Sequence, residues 1–386
     1  MTHRVLFYVQ HLLGIGHLKR AATLTRAMMD RGLQVTIVSG GQDIPGLNIG
    51  SAEFVQLPST RATNLFFKEL VDDDNQPIDG DWKERRAEAL LAAYRAASAH
   101  LIMFELFPFG RRQMRFEIEP VLQDAIASKH RPVVVSSVRD ILVAQKKPER
   151  GDEMFQRVRD FFDHVLIHGD ENLIPFDRTF PLADRIRDKL HYTGYVVDRT
   201  GRGAINTGQG WDEVIVSAGG GAVGADLLKT AIAARPLSKM TNRTWRILVG
   251  VTVDQAAFDD LAAMAGPGII VERSRPDFTA LVTNAALSIS QGGYNTVMEV
   301  LEAGTRAVIV PYAGGAETEQ TLRAKELARR TPIEVVDERS LSPQTLAAAV
   351  DTAWRRDPPE NSMLDTDGAA NAAAAIADWA AAVEWA

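Results

Sequence analysis

A pair of glycines followed by a carboxylate could bind the phosphates and ribose of a nucleotide. Gly292 and Gly293 precede a segment with helical periodicity, and Glu299 lies about one turn into it. Glycines let the backbone approach a phosphate closely, and a helix N-terminus offers unpaired N–H groups and a positive dipole end. We expect Asn295 or Thr296 to cap this helix. A tight turn followed by a solvated glutamate is the alternative.

A second candidate is a histidine that follows a glycine loop near the start of the chain. Gly16 ends this loop at residues 13–16, and His17 begins the next helix. A helix N-terminus disfavours the imidazolium, so His17 should be neutral and able to accept a proton as a general base. A single histidine is more often structural, which is the alternative reading.

A third glycine loop, SAGGGAVG at residues 217–224, follows a strand and precedes a helix. Gly220 and Gly221 in this loop could cradle a diphosphate. The spacing is not the strict dinucleotide fingerprint, and no acidic partner follows about 20 residues later. A hydride-transfer enzyme is therefore disfavoured, and a structural turn remains the alternative.

Other polar residues lie where predicted strands end. Arg273 could touch a nucleotide, although a surface turn explains it nearly as well. Glu105, Arg111 and Arg139 are candidates for contact with an acceptor. The aromatic and basic segment around Arg111 could bind a phosphorylated or lipid-linked acceptor, or an anionic membrane surface; an ordinary helix with solvated arginines is the alternative. Residues 72–74, three aspartates in a row, are interpreted as an acidic loop, and no metal site is predicted.

Two repeats of strand, glycine loop and helix must position these residues. The first repeat begins at residue 4 and the second at residue 213, and apolar runs suited to buried parallel strands follow each. The sequence thus predicts an α/β fold with two Rossmann-like domains, residues 1–197 and 212–369, joined by a glycine-rich linker at 198–211. Residues 370–386 have helical periodicity and either pack back on the first domain or cap the second.

Composition limits the classes of function. The chain has 386 residues, 46% apolar and 24% charged, and no cysteine, which excludes disulfides, thiolate zinc sites and cysteine nucleophiles. Residues 1–197 carry 26 basic and 26 acidic side chains, so the net charge of −7 comes from the remainder. This balance argues against nucleic acid as a partner. With no signal peptide and no apolar run of about 20 residues, a cytoplasmic protein is expected, peripheral to the inner face of the membrane at most.

Residues 290–320, SQGGYNTVMEVLEAGTRAVIVPYAGGAETEQ, resemble the donor-binding segment of GT-B glycosyltransferases. The likeness is closest to the MurG-type N-acetylglucosaminyltransferases, which share a C-terminal domain of glycosyltransferase family 28. Plant-type enzymes carry a histidine where this chain has Gln291, so the resemblance to them is weaker. By this resemblance the donor-binding residues are, at the diphosphate, Gly292, Gly293, Asn295 and Thr296; at the ribose, Glu299; at the sugar, Glu319 and Gln320; and, lining the cleft, Gly16, Gly220 and Gly221.

The resemblance also implies an architecture and a reaction. The two domains would face each other across a cleft, with a nucleotide sugar, UDP-linked by the MurG likeness, as co-substrate and with neither metal nor other cofactor. His17 would deprotonate an acceptor hydroxyl, and a hexose or N-acetylhexosamine would transfer with inversion, in cell-envelope or polysaccharide biosynthesis. Because GIGHLKR also resembles the loop of PseG-type nucleotide-sugar hydrolases, hydrolysis is the alternative, and binding without catalysis is a second one.

Overall fold

The computed structural model describes residues 2–12, 14–64, 69–143, 147–200, 208–219, 224–314, 318–359 and 364–383. The chain divides into two compact units. The first unit comprises Met1–Val196 together with Asp365–Ala386, and the second comprises Val197–Leu364. The chain therefore leaves the first unit once and returns to it at its C-terminal end.

Among the described residues, nine strands and four α-helices come first along the chain. The strands are β1 (Arg4–Val9), β2 (Gln34–Ser39), β3 (Glu53–Gln56), β4 (Arg61–Ala62), β5 (Leu70–Val71), β6 (Leu101–Glu105), β7 (Val133–Arg139), β8 (His164–His168) and β9 (Leu190–Tyr192). The helices are α1 (Gly16–Asp30), α2 (Gly80–Ala97), α3 (Arg115–Ala127) and α4 (Pro148–Phe161). Seven of the strands form a parallel sheet in the order β3-β2-β1-β6-β7-β8-β9, while β4 and β5 pair with each other.

The second unit repeats the alternation of strand and helix. Its elements are β10 (Val214–Ser217), α5 (Ala225–Ala234), β11 (Trp245–Val249), α6 (Gln255–Ala263), β12 (Ile269–Arg273), α7 (Phe278–Asn284), β13 (Leu287–Gln291), α8 (Tyr294–Glu302), β14 (Ala307–Val310), α9 (Glu319–Ala328), β15 (Glu334–Val335) and α10 (Pro343–Arg355). The six strands are parallel and lie in the order β12-β11-β10-β13-β14-β15.

The central strands are apolar because helices cover both faces of each sheet. Strand β6, with the sequence LIMFE, is buried at every position, and β10, β11 and β14 are likewise buried throughout. This pattern is typical of parallel sheets, whose strands read as continuous apolar runs. The predicted α/β fold with parallel sheets in two domains is confirmed.

The last helix, α11 (Gly368–Ala381), belongs to the first unit. Its buried residues Ala373, Ile376 and Ala380 recur every three or four positions and join a core cluster that includes Leu24 and Met28 of α1. Alanines at this face let two helix backbones approach closely. The helix therefore completes the hydrophobic core of the first unit. No helix among the described residues has the length and apolar character needed to cross a membrane.

Each sheet has one position where the strand order reverses. In the first sheet this position lies between β1 and β6, and in the second between β10 and β13. Ligands of doubly wound sheets bind beyond the carboxyl ends of the strands at such a reversal. A ligand-binding site is therefore expected at the loops after these four strands and at the helices that follow them.

Candidate active site

A histidine and a carboxylate meet at the reversal point of the first sheet. His17 lies in the first turn of α1, after β1, and Glu105 is the last residue of β6. The imidazole Nδ1 lies 2.9 Å from Oε1 of Glu105. Arg20, one turn further along α1, pairs with the same oxygen. The side chain of His17 is 14% exposed and that of Glu105 is fully buried, so the carboxylate binds the histidine on its buried side.

The surroundings fix the protonation of this pair. Burial lowers the pKa of His17 to about 3, and the charge of Arg111 adds to the effect, while the hydrogen bond to Glu105 opposes it. Burial alone would raise the pKa of Glu105, but Arg20 and then His17 outweigh it and hold that pKa well below its ordinary value. A carboxylate can only accept hydrogen bonds, so the neutral imidazole must donate its Nδ1–H. Nε2 then keeps its lone pair and can act as a base.

Two further arginines face this pair. The Nε of Arg111 donates to the carbonyl oxygen of Gln10 at 2.7 Å, and Arg139 is the last residue of β7. Both charges lower the pKa of His17. Burial lowers the pKa of Arg111 to about 10, with Arg139 contributing. The three acceptor-side candidates thus lie around His17, and their arginines would favour an anionic group on a substrate.

Sequence reasoning missed the polar residues behind Glu105. Ser137 Oγ donates to Oε2 of Glu105 at 2.9 Å and lies 2.9 Å from Nε2 of His168. His168 Nδ1 in turn lies 3.0 Å from Oγ1 of Thr193. All of these side chains are buried. A signal was available, because His168 ends β8 and carboxyl ends of neighbouring parallel strands meet at one edge of a sheet.

At the reversal point of the second sheet, β13 runs into α8 through the glycine pair. Gly293 is the N-cap residue, with φ −63° and ψ 139°, and no side chain caps the helix. Asn295 and Thr296 lie inside the first turn, so the prediction that one of them caps α8 is wrong. The extended backbone of Gly293 starts the helix earlier, at Tyr294. The first N–H groups of α8 have no capping side chain and can bind an anion.

The first glycine of the pair lies tightly against Gln320. A Cβ built on Gly292 would lie 3.1 Å from Cβ of Gln320 and 3.3 Å from its carbonyl oxygen. The backbone N–H of Tyr312 donates to Oε1 of Gln320 at 3.0 Å, which fixes this side chain beside the turn. A Cβ on Gly293, which directly precedes the first residue of α8, would meet no atom of the described residues within 4 Å.

A buried arginine joins the glycine turn to α9. Arg323 is fully buried and donates to the carbonyl oxygen of Gly292 at 3.2 Å and to Oε1 of Glu319 at 2.8 Å. Its guanidinium also lies over the ring of Tyr294, 5.3 Å from the centroid. Glu319 is itself 4% exposed. The pair holds Glu319 beside the turn, and its spacing of four residues on a helix was a readable signal.

The remaining donor-side candidates differ in their surroundings. Glu299 is half-buried in the second turn of α8. The guanidinium of Arg273 donates to the carbonyl oxygen of Val253 at 2.6 Å and to Oε1 of Gln255 at 2.9 Å, and it stacks over Phe258 at 4.4 Å. These contacts give Arg273 a role in holding the loop between β11 and α6.

Gly16 is the first residue of α1, directly before His17. Gly220 and Gly221 lie outside the described residues. In the described part of the chain, no three histidine, aspartate or glutamate side chains converge in a way that could hold a metal ion. Asp72 accepts hydrogen bonds from the backbone N–H of Asp74 at 3.0 Å and of Gln76 at 2.9 Å, as in an Asx turn.

Comparison with known families finds a match for the part of the chain that contains the glycine turn before α8. Residues 215–378 match the glycosyltransferase family 28 C-terminal domain. The match begins in β10, runs through α10 and continues into α11. The predicted resemblance is therefore confirmed, and the glycine turn, α8 and α9 all lie inside the matched segment.

Two relatives of the chain have names that describe sugar transfer. The chain is 36% identical over 106 residues to the UDP-N-acetylglucosamine–N-acetylmuramyl-(pentapeptide) pyrophosphoryl-undecaprenol N-acetylglucosamine transferase of Mesorhizobium japonicum; the match covers 26% of this chain and 28% of the relative. It is 23% identical over 334 residues to the NDP-glycosyltransferase YjiC of Bacillus licheniformis, covering 81% and 80%. The chain thus spans just over a quarter of the first relative's length and most of the second's.

A solved structure resembles the whole chain. The calicheamicin glycosyltransferase CalG4 has a TM-score of 0.65 at 17% sequence identity, and the match covers 100% of both chains. At this identity the likeness shows the fold alone. The fold is the GT-B fold predicted from the sequence.

Proposed function

We propose that this protein transfers a hexose or an N-acetylhexosamine from a UDP-sugar to an acceptor hydroxyl, with inversion and without a metal ion. The His17–Glu105 pair is the observation that carries the proposal, since it places a neutral imidazole, whose Nε2 carries the lone pair, after the first strand. The glycosyltransferase domain supplies the donor-binding groups. A single base and a single displacement lead to inversion.

The proposed reaction assigns each step to residues of the chain. Nε2 of His17 takes the proton of the acceptor hydroxyl, and the acceptor oxygen forms a bond to the anomeric carbon. The bond from this carbon to the diphosphate oxygen breaks as it develops oxocarbenium character, and the diphosphate leaves with the electron pair. The N–H groups at the start of α8, around Gly292 and Gly293, stabilise the leaving charge. Glu299 would bind the ribose, and Glu319 and Gln320 the sugar hydroxyls.

The choice of UDP and of the acceptor class rests on the name of one relative and on the arginines beside His17. The Mesorhizobium relative's name describes transfer from a UDP-sugar to a lipid-linked acceptor. Arg111 and Arg139 beside His17 fit a phosphorylated acceptor, whether lipid-linked or a small molecule. A cytoplasmic role in cell-envelope or polysaccharide synthesis, with peripheral membrane contact through the first unit, belongs to the same proposal. Arg112 and Arg115, however, each have a carboxylate partner in Glu153, at 3.3 Å and 3.5 Å.

Binding and turnover can be tested separately. A panel of nucleotides and nucleotide sugars in a thermal-shift assay should reveal the donor, because a ligand at about 100 times its dissociation constant adds about 2.7 kcal/mol of stability. With that donor, His17→Ala is expected to abolish transfer while binding the donor as the wild type does. Near-normal transfer by His17→Ala would refute the role of the histidine. Consumption of the donor by the wild type without any acceptor would instead indicate a hydrolase.

A further inference from the structure

A chain of buried side chains extends from the catalytic pair into the first unit. It runs from Glu105 to Ser137, on to His168 and then to Thr193, with successive distances of 2.9, 2.9 and 3.0 Å. Glu105, Ser137 and His168 have no exposed surface, and Thr193 is 3% exposed. These residues come from β6, β7, β8 and the segment after β9, so four neighbouring segments contribute one group each.

The positions of the protons in this series of hydrogen bonds can be assigned one residue at a time, starting from Glu105. Glu105 is an acceptor because its charged form is favoured, so the single hydroxyl proton of Ser137 must point to Oε2. Ser137 can then only accept from His168, which requires a proton on Nε2. Burial lowers the pKa of His168 to about 3, so the imidazole is neutral and Nδ1 carries the lone pair, 3.0 Å from Oγ1 of Thr193. The Thr193 hydroxyl also donates to the carbonyl oxygen of Gly194 at 2.9 Å. The protons of Ser137 and His168 are thus both directed towards Glu105.

We propose that Ser137 and His168 are positioning residues that fix the orientation of the Glu105 carboxylate and thereby hold His17 in the tautomer with its proton on Nδ1. This inference rests on the proposed function, in which Nε2 of His17 is the base. Oε2 of Glu105 accepts a hydrogen bond from Ser137, while Oε1 accepts from His17 and Arg20. Without the donor from Ser137, Oε2 would no longer be fixed in direction, and the carboxylate could turn away from Nδ1 of His17. His17 would then no longer be compelled to donate from Nδ1.

Charged and titratable groups from several elements face Glu105. From α1 come His17 and Arg20, and from β8 comes His168; all three favour the charged carboxylate. Arg111 interacts with Glu105 as well and is itself affected by Arg139. The arginines act through charge at any orientation of the carboxylate. Ser137 differs from them because its hydroxyl fixes one oxygen in direction, and this sets which oxygen His17 meets.

The tautomer of His17 can be measured in the resting protein. In protein labelled with ¹⁵N-histidine, the shifts of the two ring nitrogens distinguish a protonated Nδ1 from a protonated Nε2, and the His17→Gln spectrum assigns the signals. We expect the wild type to show His17 and His168 in opposite tautomers, with protons on Nδ1 and Nε2 respectively. Ser137→Ala should give a mixture at His17. A wild-type His17 with its proton on Nε2, or an unchanged His17 in Ser137→Ala, would overturn the inference.

A neighbouring serine provides the matched control. Ser136 is equally buried, and its hydroxyl donates to the carbonyl oxygen of Phe107 at 2.7 Å, away from Glu105. Ser136→Ala should therefore lose a similar hydrogen bond and leave the His17 tautomer unchanged. His168→Gln, which can still donate to Ser137, should retain the tautomer that His168→Leu loses. If Ser136→Ala changed the His17 tautomer as much as Ser137→Ala does, the loss of any buried hydrogen bond nearby would explain the effect, and the inference would fail.

Kinetics give a second measurement. Loss of a hydrogen bond to a charged group corresponds to about a tenfold or larger effect, so Ser137→Ala should lower kcat about tenfold with the KM for the donor little changed. An unchanged kcat in Ser137→Ala would contradict the inference. If the wild type transfers no sugar, the proposed function fails while the NMR measurement still decides this inference.

Discussion

Replacing Glu105 by glutamine tests the catalytic pair most directly. The amide has the shape of the carboxylate but carries no charge, and its nitrogen donates where an oxygen accepted. Oε1 accepts from His17 at 2.9 Å and from Arg20, and Oε2 accepts from Ser137 at 2.9 Å. One amide cannot accept all three donors in the same positions. Whichever way it turns, at least one of these donors faces an N–H group.

Glu105→Gln is expected to lower both the free energy of unfolding and kcat. Arg20 is 3% exposed, so Glu105→Gln leaves a buried charge without its carboxylate, which costs about 3–5 kcal/mol of unfolding free energy. The second loss is in catalysis, because the imidazole is no longer compelled to donate from Nδ1. A carboxylate-to-amide change behind a triad histidine lowers kcat by about 10⁴ through the wrong tautomer. We expect a kcat loss of about 10³- to 10⁴-fold here.

The assay must separate instability from loss of the base. Glu117 provides the matched control, since it is as buried as Glu105 and accepts from Arg86 at 2.6 Å and from Tyr8 at 2.5 Å. Glu117→Gln should therefore cost a similar unfolding free energy in urea but reduce kcat far less at a temperature where both variants are folded. Donor affinity, measured by calorimetry, should stay near the wild-type value in both. A kcat for Glu105→Gln within tenfold of that for Glu117→Gln would refute the reasoning.

Two further outcomes concern pH and the glycine turn. His17 and His168 each have a pKa of about 3 against an ordinary 6.5, so stability is complete above pH 6.5 and falls as pH drops towards 3, by up to about 2.7 kcal/mol per pH unit for the two. Urea unfolding at several pH values measures the total slope, to which His11 and His164, each with a pKa of about 4, also contribute. His168→Gln should lower this slope by up to about 1.4 kcal/mol per pH unit, and an unchanged slope would argue against the burial effect. Gly292→Ala should cost about 1–3 kcal/mol through its contact with Gln320, whereas Gly293→Ala should leave unfolding nearly unchanged and weaken UDP binding. Thermal melts and a UDP titration of both variants test this, and equal UDP affinity for Gly293→Ala and wild type would contradict an anion site at α8.

The fold could be predicted because strand and helix signals agree along the chain. Apolar runs such as β6 and β11 are buried on both faces, so hydrophobicity alone marks them. The repeated order of strand, glycine loop and helix then predicts two parallel sheets. The start of α8 was misplaced because Gly293 caps the helix with its backbone conformation and offers no side-chain signal. Backbone geometry of this kind is weakly encoded in residue type.

Site residues that lie in one segment of the sequence could be predicted. Site residues that come together from several distant segments were harder to predict. Residues 290–320 are contiguous, so their glycines and carboxylates could be interpreted together. Ser137 and His168 lie more than 30 residues apart, and only the register between β7 and β8 brings them together. Arg323 was overlooked for another reason, because a lysine or arginine in a helix is usually solvated. The structure instead buries it between Glu319 and the glycine turn.

The low pKa of His17 has a consequence for how the proposed base would work. A general base is most effective when its pKa is near the operating pH, and a pKa of about 3 is too low. Part of this lowering comes from the charges of Arg111 and Arg139, which an anionic substrate group bound beside them would offset. Raising the pKa from about 3 to its ordinary 6.5 requires about 5 kcal/mol of differential interaction between the two protonation states. Linkage is reciprocal, so an anion that raises this pKa binds more tightly once His17 has taken its proton. The arginines that weaken the base in the resting protein are therefore the groups through which an anionic substrate would strengthen it.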